Sequence, residues 1–193
     1  MIERERKYRL TPADADLLEA RLARIGRSLG RERQETVVFA DRVGVLPKGT
    51  LIRYRDVDGR RELTVKGKKT QNGLDKTRQE WNVALGDGPI FELLGALRLE
   101  PGTRYVKDAT RYEINGMLVS VDRLDGLGVF CEIEAHDTSS DIDAVAKLLA
   151  LDPAWFEPRG YPSIAAEAAA TRPRSNGGAS LTPTAGNARS PKP

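Results

Sequence analysis

The sequence predicts an α+β fold: an eight-stranded antiparallel β-barrel, closed on itself, with helices packed outside. Three observations predict it. Eight short stretches alternate in character with a period of two residues. Most are joined by turns of hairpin length, among them Asp58-Gly59 and Asn115-Gly116. Helical periodicity is confined to a few crossings between strands.

The first strand is expected over residues 2–9, where charged side chains alternate. "TPADADLLEARLARIG" then reads as a helix. Thr11 is its N-cap, Pro12 takes the first helical position, Leu18, Leu22 and Ile25 share a face, and Gly26 closes it. Four strands follow, "ETVVFAD" (35–41), "TLIRYRDV" (50–57), "RELTVKG" (61–67) and "TRQEWNVAL" (77–85). Lys68 and Lys76 fall in the loop between the last two and outside the candidate site. "PIFELLGAL" (89–97) is a short helix. Strands 103–114 and 117–124 flank Asn115-Gly116, and 128–136 is the last strand. Residues 139–151 form a helix capped by Ser139 or Ser140, and a short helix near 162–170 ends the pattern.

The chain has 193 residues, enough for one domain with a buried core, placed at residues 1–171. Residues 172–193 are rich in Pro, Gly, Ser and Thr and have no apolar periodicity, so they are expected to be a disordered tail. Four of the 31 basic residues and none of the 28 acidic ones lie in that tail. The domain thus carries 27 bases against 28 acids, a net of −1, and is not a DNA binder by overall charge. The bases of the tail either contact an anionic partner or keep it soluble. Cys131 and His136 stand alone of their types, which excludes an intramolecular disulfide and a zinc site built from Cys and His. No leader-like or 18-residue apolar run occurs, so a cytoplasmic protein without a membrane partner is expected. A homodimer is admissible on this sequence and is not specified by it.

Alternate residues of a strand share a face. On the first strand Glu3, Glu5 and Lys7 share one, with Arg4 and Arg6 on the other. Arg53 and Arg55 face together, as do Thr64 and Lys66, then Arg78, Glu80 and Asn82, then Lys107 and Arg111. Ser120 and Asp122 oppose Val119 and Val121, and Glu132 and Glu134 oppose Cys131 and Ile133. Trp81 falls on an outer face, where packing in a core is expected. Half-buried strands with solvated charge account for any one of these faces. The signs, however, are organised. Glu3, Glu5, Asp122, Glu132 and Glu134 form an acidic set on strands near the two ends of the domain. Lys7, Arg53, Arg55, Lys66, Arg78, Lys107 and Arg111 form a basic set, mostly between them. Paired carboxylates suit a hard cation such as Mg2+ or Mn2+. A row of Arg and Lys suits a polyphosphate.

These residues resemble the CYTH superfamily, the triphosphate tunnel metalloenzymes. Its ExExK mark stands here as Glu3-Arg4-Glu5-Arg6-Lys7. The likeness continues through "LIRYR", "LTVKG", "TRQEW" and "VDRLDGLGVFCEIE" and covers roughly residues 1–165. The resemblance implies a barrel that forms a charged tunnel. Mg2+ or Mn2+ would be held by acids matching Glu3, Glu5, Asp122, Glu132 and Glu134. The triphosphate would be gripped by bases matching Lys7, Arg53, Arg55, Lys66, Lys107 and Arg111. One departure is visible: the family often has a K-x-R pair before the Asp, and here Lys107 and Arg111 are four apart.

The expected function is divalent-metal-dependent hydrolysis of a linear triphosphate, a small-molecule partner that is either inorganic or organic. Lys7, Glu80 and Lys107 are the candidate catalytic side chains. Glu80 either positions a water or second ion, or is paired with Arg78 or Lys66. The alternatives are a class IV-type adenylyl cyclase, which makes cyclic AMP and pyrophosphate from ATP, and a non-catalytic polyphosphate-binding module. Five acids in the site argue against the last, because anion binding gains nothing from carboxylates.

Overall fold

The computed structural model describes residues 1–171, so the expected tail lies outside the described residues. The strands are β1 (Ile2–Leu10), β2 (Arg27–Asp41), β3 (Leu51–Val57), β4 (Arg60–Lys66), β5 (Thr70–Asn72), β6 (Asp75–Leu85), β7 (Leu99–Ile114), β8 (Met117–Leu124) and β9 (Gly128–Ala135). The helices are α1 (Pro12–Ile25), α2 (Ile90–Ala96), α3 (Ile142–Leu148) and α4 (Tyr161–Thr171), with a 3-10 turn at Pro153–Trp155. The order around the sheet is β1-β9-β8-β7-β2-β3-β4-β6, and β1 pairs back onto β6. All the pairings are antiparallel, and eight strands close into a barrel with four helices outside. β5 pairs only with β6 and prolongs the edge that β4 leaves at Lys66. Closure removes the exposed strand edges that an open sheet would carry.

The barrel wall is apolar on its outside. α1 and α3 lie over β1, β8 and β9 and bury Leu18, Leu22 and Val145 against Tyr8, Val119, Val121 and Ile133. α2 covers β2 and β3, where Leu94 meets Val37, Phe39 and Ile52. Each fully buried side chain of this size contributes about 1.5–3 kcal/mol. α4 seals one end of the barrel, its Tyr161, Ile164 and Ala165 seated on Tyr105, Leu124 and Phe130.

The element boundaries follow the chemistry of the caps. Thr11 caps α1 by accepting from the Asp14 amide, and Gly26 ends it, as the sequence suggests. α3 is capped by Asp141, not by Ser139 or Ser140. The two serines are instead held by the Asp137 carboxylate through their amides and hydroxyls. β2 starts eight residues earlier than expected, at Arg27 rather than residue 35. Its extra residues "RSLGRERQ" lack alternation, and a register shift between Ser28 and Gly30, with Gly30 at φ 96°, breaks the pattern further. β7 likewise begins at Leu99, running through Pro101-Gly102 opposite a second irregularity in β2. Trp81 does face outward, but it is 54% exposed and packs in no core cluster, contrary to expectation.

Candidate active site

Because the wall is apolar outside, the alternate residues point inward and make the barrel interior ionic. They line a cavity of about 800 Å³. All the candidate side chains except Asp122 line it, and Asp122 sits behind Lys107 and Tyr161. β1, β9 and β8 are neighbours in the barrel, so the acids from both ends of the domain form one continuous wall. Glu5 lies directly across from Glu134, and Lys7 from Glu132. β7, β3, β4 and β6 carry the bases of the opposite side. Lys107, Ala109 and Arg111 share a face, so the four-residue spacing still places both bases inward.

The carboxylates are bridged by the bases. Lys66 Nζ donates to both oxygens of Glu3 at 2.8 and 2.9 Å and lies 2.7 Å from Glu80. Arg78 is 3.6 Å from Glu3 and 3.9 Å from Glu5. Lys7 is 3.2 Å from Glu132, and its Nζ also donates to the Arg159 carbonyl. Lys107 donates to Asp122 Oδ2 at 2.7 Å. Arg53 donates to Thr64 Oγ1 at 2.9 Å and lies 3.6 Å from both Glu62 and Glu80. Glu80 is therefore paired with Lys66 and Arg53, not with Arg78. Arg111 makes two bonds of 3.1 Å to Glu32. Glu134 lies 3.6 Å from the His136 imidazole Nε2.

This packing of like charges shifts protons. Burial pushes the Glu3 carboxyl up to about 8; Lys66 pulls against it, and Glu134 and Glu5 add to it. Burial works against ionisation of Glu80, but a hydrogen bond from Glu3 and the charge of Lys66 bring it down to about 2. Burial also opposes ionisation of Glu5, yet Lys7, Lys76, Lys66 and Arg78 hold it well below the usual carboxylate range. Glu132 is raised by burial, with Lys7 against it and Glu5 for it. Burial and the neighbouring Arg55 lower the Arg53 guanidinium. The Nε atoms of Arg53, Arg55 and Arg78 are buried with no hydrogen-bond partner. The side chains of these three arginines line the cavity, and donors left without acceptors beside it suit an anion with many oxygens.

A closed barrel, an ExExK first strand facing inward and an acidic wall opposite a basic one coincide with a match of residues 1–161 to the CYTH domain family. The chain belongs to the CYTH family. A conserved protein of Pyrococcus furiosus is similar in structure, with 26% identity, a TM-score of 0.71, and coverage of 84% of this chain and 99% of that one. A protein described as a candidate adenylate cyclase from Vibrio parahaemolyticus shares the fold at 19% identity and TM-score 0.69, covering 85% of this chain and 97% of its own. So does a candidate adenylyl cyclase from Hippeastrum whose dominant activity is that of a triphosphatase, at 15% identity and TM-score 0.58, with 90% and 98% covered. No functionally curated protein matches the chain.

CYTH enzymes generally use divalent metals, and the residues here fit one. The donors are carboxylate oxygens, suited to Mg2+ or Mn2+. The Oδ1 atom of Asp122 is buried without a partner. Glu3 and Glu132 are pushed toward protonation in part by neighbouring carboxylates, a push that a cation would remove. Among the described residues no three acidic, His or Cys side chains stand close enough to enclose an ion as they are, since lysines occupy the carboxylates.

Three groups at this CYTH site escaped the sequence reading. Lys76 lies in β6, not in a loop; it is 1% exposed and bonds Glu5 at 3.2 Å. It has the parity of Arg78 and Glu80, which is the signal that finds it. Glu32 lines the cavity from the unrecognised part of β2. Tyr161 lies at the start of α4, where no strand periodicity marks it. Arg4 and Arg6 face outward, as their parity predicts. Arg6 bonds Asp75 and Asp143, and Arg4 bonds the carbonyls of Thr138 and Ser140.

Proposed function

We propose that this CYTH protein is a divalent-metal-dependent phosphohydrolase that cleaves a linear triphosphate. The single observation that carries the reading is the pairing of walls in one cavity: arginine and lysine side chains on one side, three of the arginines with an Nε left unpartnered, and a cluster of crowded carboxylates on the other. Arg53, Arg55, Lys66, Arg78 and Arg111 bind the phosphoryl oxygens, with Lys7 and Lys107 at the end sealed by α4. Glu3, Glu5, Asp122, Glu132 and Glu134 would hold Mg2+ or Mn2+, which supplies positive charge to the phosphate oxygens when bound. The basic wall stabilises negative charge that grows on the leaving pyrophosphate. Glu80, kept ionised, is too weak a base to take a proton early, and orients water by accepting its hydrogen bonds. Trp81 is on the outside and does not line the cavity, so it cannot serve as the adenine-stacking ring of a cyclase.

The test is a product assay. Tripolyphosphate and, separately, ATP are mixed with the protein and Mg2+ or Mn2+, and phosphorus NMR follows the products. Orthophosphate with pyrophosphate from tripolyphosphate, and no cyclic AMP from ATP, is the expected result. Cyclic AMP with pyrophosphate from ATP overturns it in favour of a cyclase. Binding without any product leaves a polyphosphate-binding module.

A further inference from the structure

α4 does more than close the barrel end, because its first residue reaches the charged groups. Tyr161 is 5% exposed, and its hydroxyl donates to Asp122 Oδ2 at 2.6 Å. The same oxygen accepts from Lys107 at 2.7 Å. Two donors thus saturate Oδ2, while Oδ1, equally buried, has none. The face of the Tyr161 ring lies 3.7 Å from Lys7 Nζ and 5.1 Å from Lys107 Nζ. The ring also meets Phe130 edge-on and Tyr105 at a tilt, with ring centroids 5.4 and 6.1 Å away. One side chain therefore touches a carboxylate of the acidic wall and two ammonium groups at once. A phenol used only to anchor a helix would need neither contact.

We propose that Tyr161 is a positioning residue of this site: its hydroxyl turns Asp122 so that one oxygen stays free for a cation, and its ring seats the ammonium groups of Lys7 and Lys107 for phosphate. The inference rests on the phosphohydrolase reading. The two functions belong to different atoms, so they separate by substitution. Groups that orient a metal ligand from behind are commonly worth 10- to 100-fold in metal affinity. An ammonium on a desolvated ring face is worth a smaller factor.

The experiment measures Mn2+ binding by electron paramagnetic resonance of the free ion, and metal-free tripolyphosphate binding by calorimetry, on the full chain. Tyr161→Phe keeps the ring and loses only the hydroxyl. It is expected to weaken Mn2+ about 10-fold or more, with metal-free tripolyphosphate binding within about twofold of wild type. Tyr161→Leu is expected also to weaken metal-free tripolyphosphate, about fivefold; should it fail to fold, Tyr161→Phe alone decides. Unchanged Mn2+ affinity in Tyr161→Phe overturns the proposal while leaving the phosphohydrolase standing. So does equal weakening of both ligands, which reports a loosened helix. Wild-type protein that binds neither ligand refutes the phosphohydrolase reading itself.

Discussion

Glu3 should make the metal-free protein less stable as pH rises. Its carboxyl is 4% exposed and is pushed from 4.5 up to about 8, by burial first and by Glu134 and Glu5 in support. Between those values the native protein holds a proton that the unfolded chain has released. Stability then falls with rising pH, because the native state binds more protons. The contribution is fully present below about 4.5 and gone above about 8. At about 1.4 kcal/mol per pH unit the ceiling over that span is about 5 kcal/mol. Glu3 shares its proton with Glu80, so roughly 2–4 kcal/mol is expected to be realised. Glu80 itself, lowered to about 2, loses its contribution only as pH falls below 4.5 and does not slope in this window. Glu3→Gln removes the titration and keeps the shape. Urea denaturation of both proteins with chelator, at pH 5 to 8.5, measures the difference. Wild type should lose stability relative to Glu3→Gln across the range. Parallel profiles would mean that Lys66 and Arg78 keep Glu3 ionised, and that the acidic wall is already neutralised without a cation.

Three further outcomes are expected. Arg55→Ala removes a half-buried guanidinium whose Nε has no hydrogen-bond partner, so metal-free tripolyphosphate affinity should fall at least 10-fold by calorimetry, on the scale of a lost charge-assisted contact, with the melting temperature unchanged or raised. Arg6→Ala breaks bonds of 2.7 Å to Asp75 and 2.5 Å to Asp143 on the outside of the barrel; stability should drop by about 1–3 kcal/mol in urea while kcat on tripolyphosphate holds. Chelation should abolish orthophosphate release, and Mg2+ or Mn2+ should restore it and raise the melting temperature further when tripolyphosphate is also present.

The inward faces were legible because period two is a rigid rule. One side of each strand had to be apolar to meet the helices, and this forced the other side, charges included, into the barrel. Glu3, Arg55 and Glu132 could be placed by counting alone. The rule fails where a strand has no apolar face to count from. "RSLGRERQ" is polar on both sides, so Glu32 and its bonds to Arg111 stayed hidden. Lys76 was lost by a boundary drawn two residues too late. Tyr161 comes from a helix, and its place over Lys7 depends on where the chain returns after β9, which no local pattern encodes. The pairing partners were equally out of reach: Arg6 meets Asp75 and Asp143, 69 and 137 residues away.

The position of β1 between β6 and β9 bears on how the protein is made. The first strand of this domain pairs with residues 76–79 on one side and 129–135 on the other. One flank can pair once β6 is made, about half-way through the domain, but the other waits for β9. Contacts so distant in sequence slow folding and leave the intermediate open to aggregation. A nascent chain stopped before β9 carries an ExExK strand with one flank bare and only part of the acidic wall. The cavity that would hold a triphosphate therefore comes into being in the same late step that completes the barrel, and no shorter fragment of the domain should bind one.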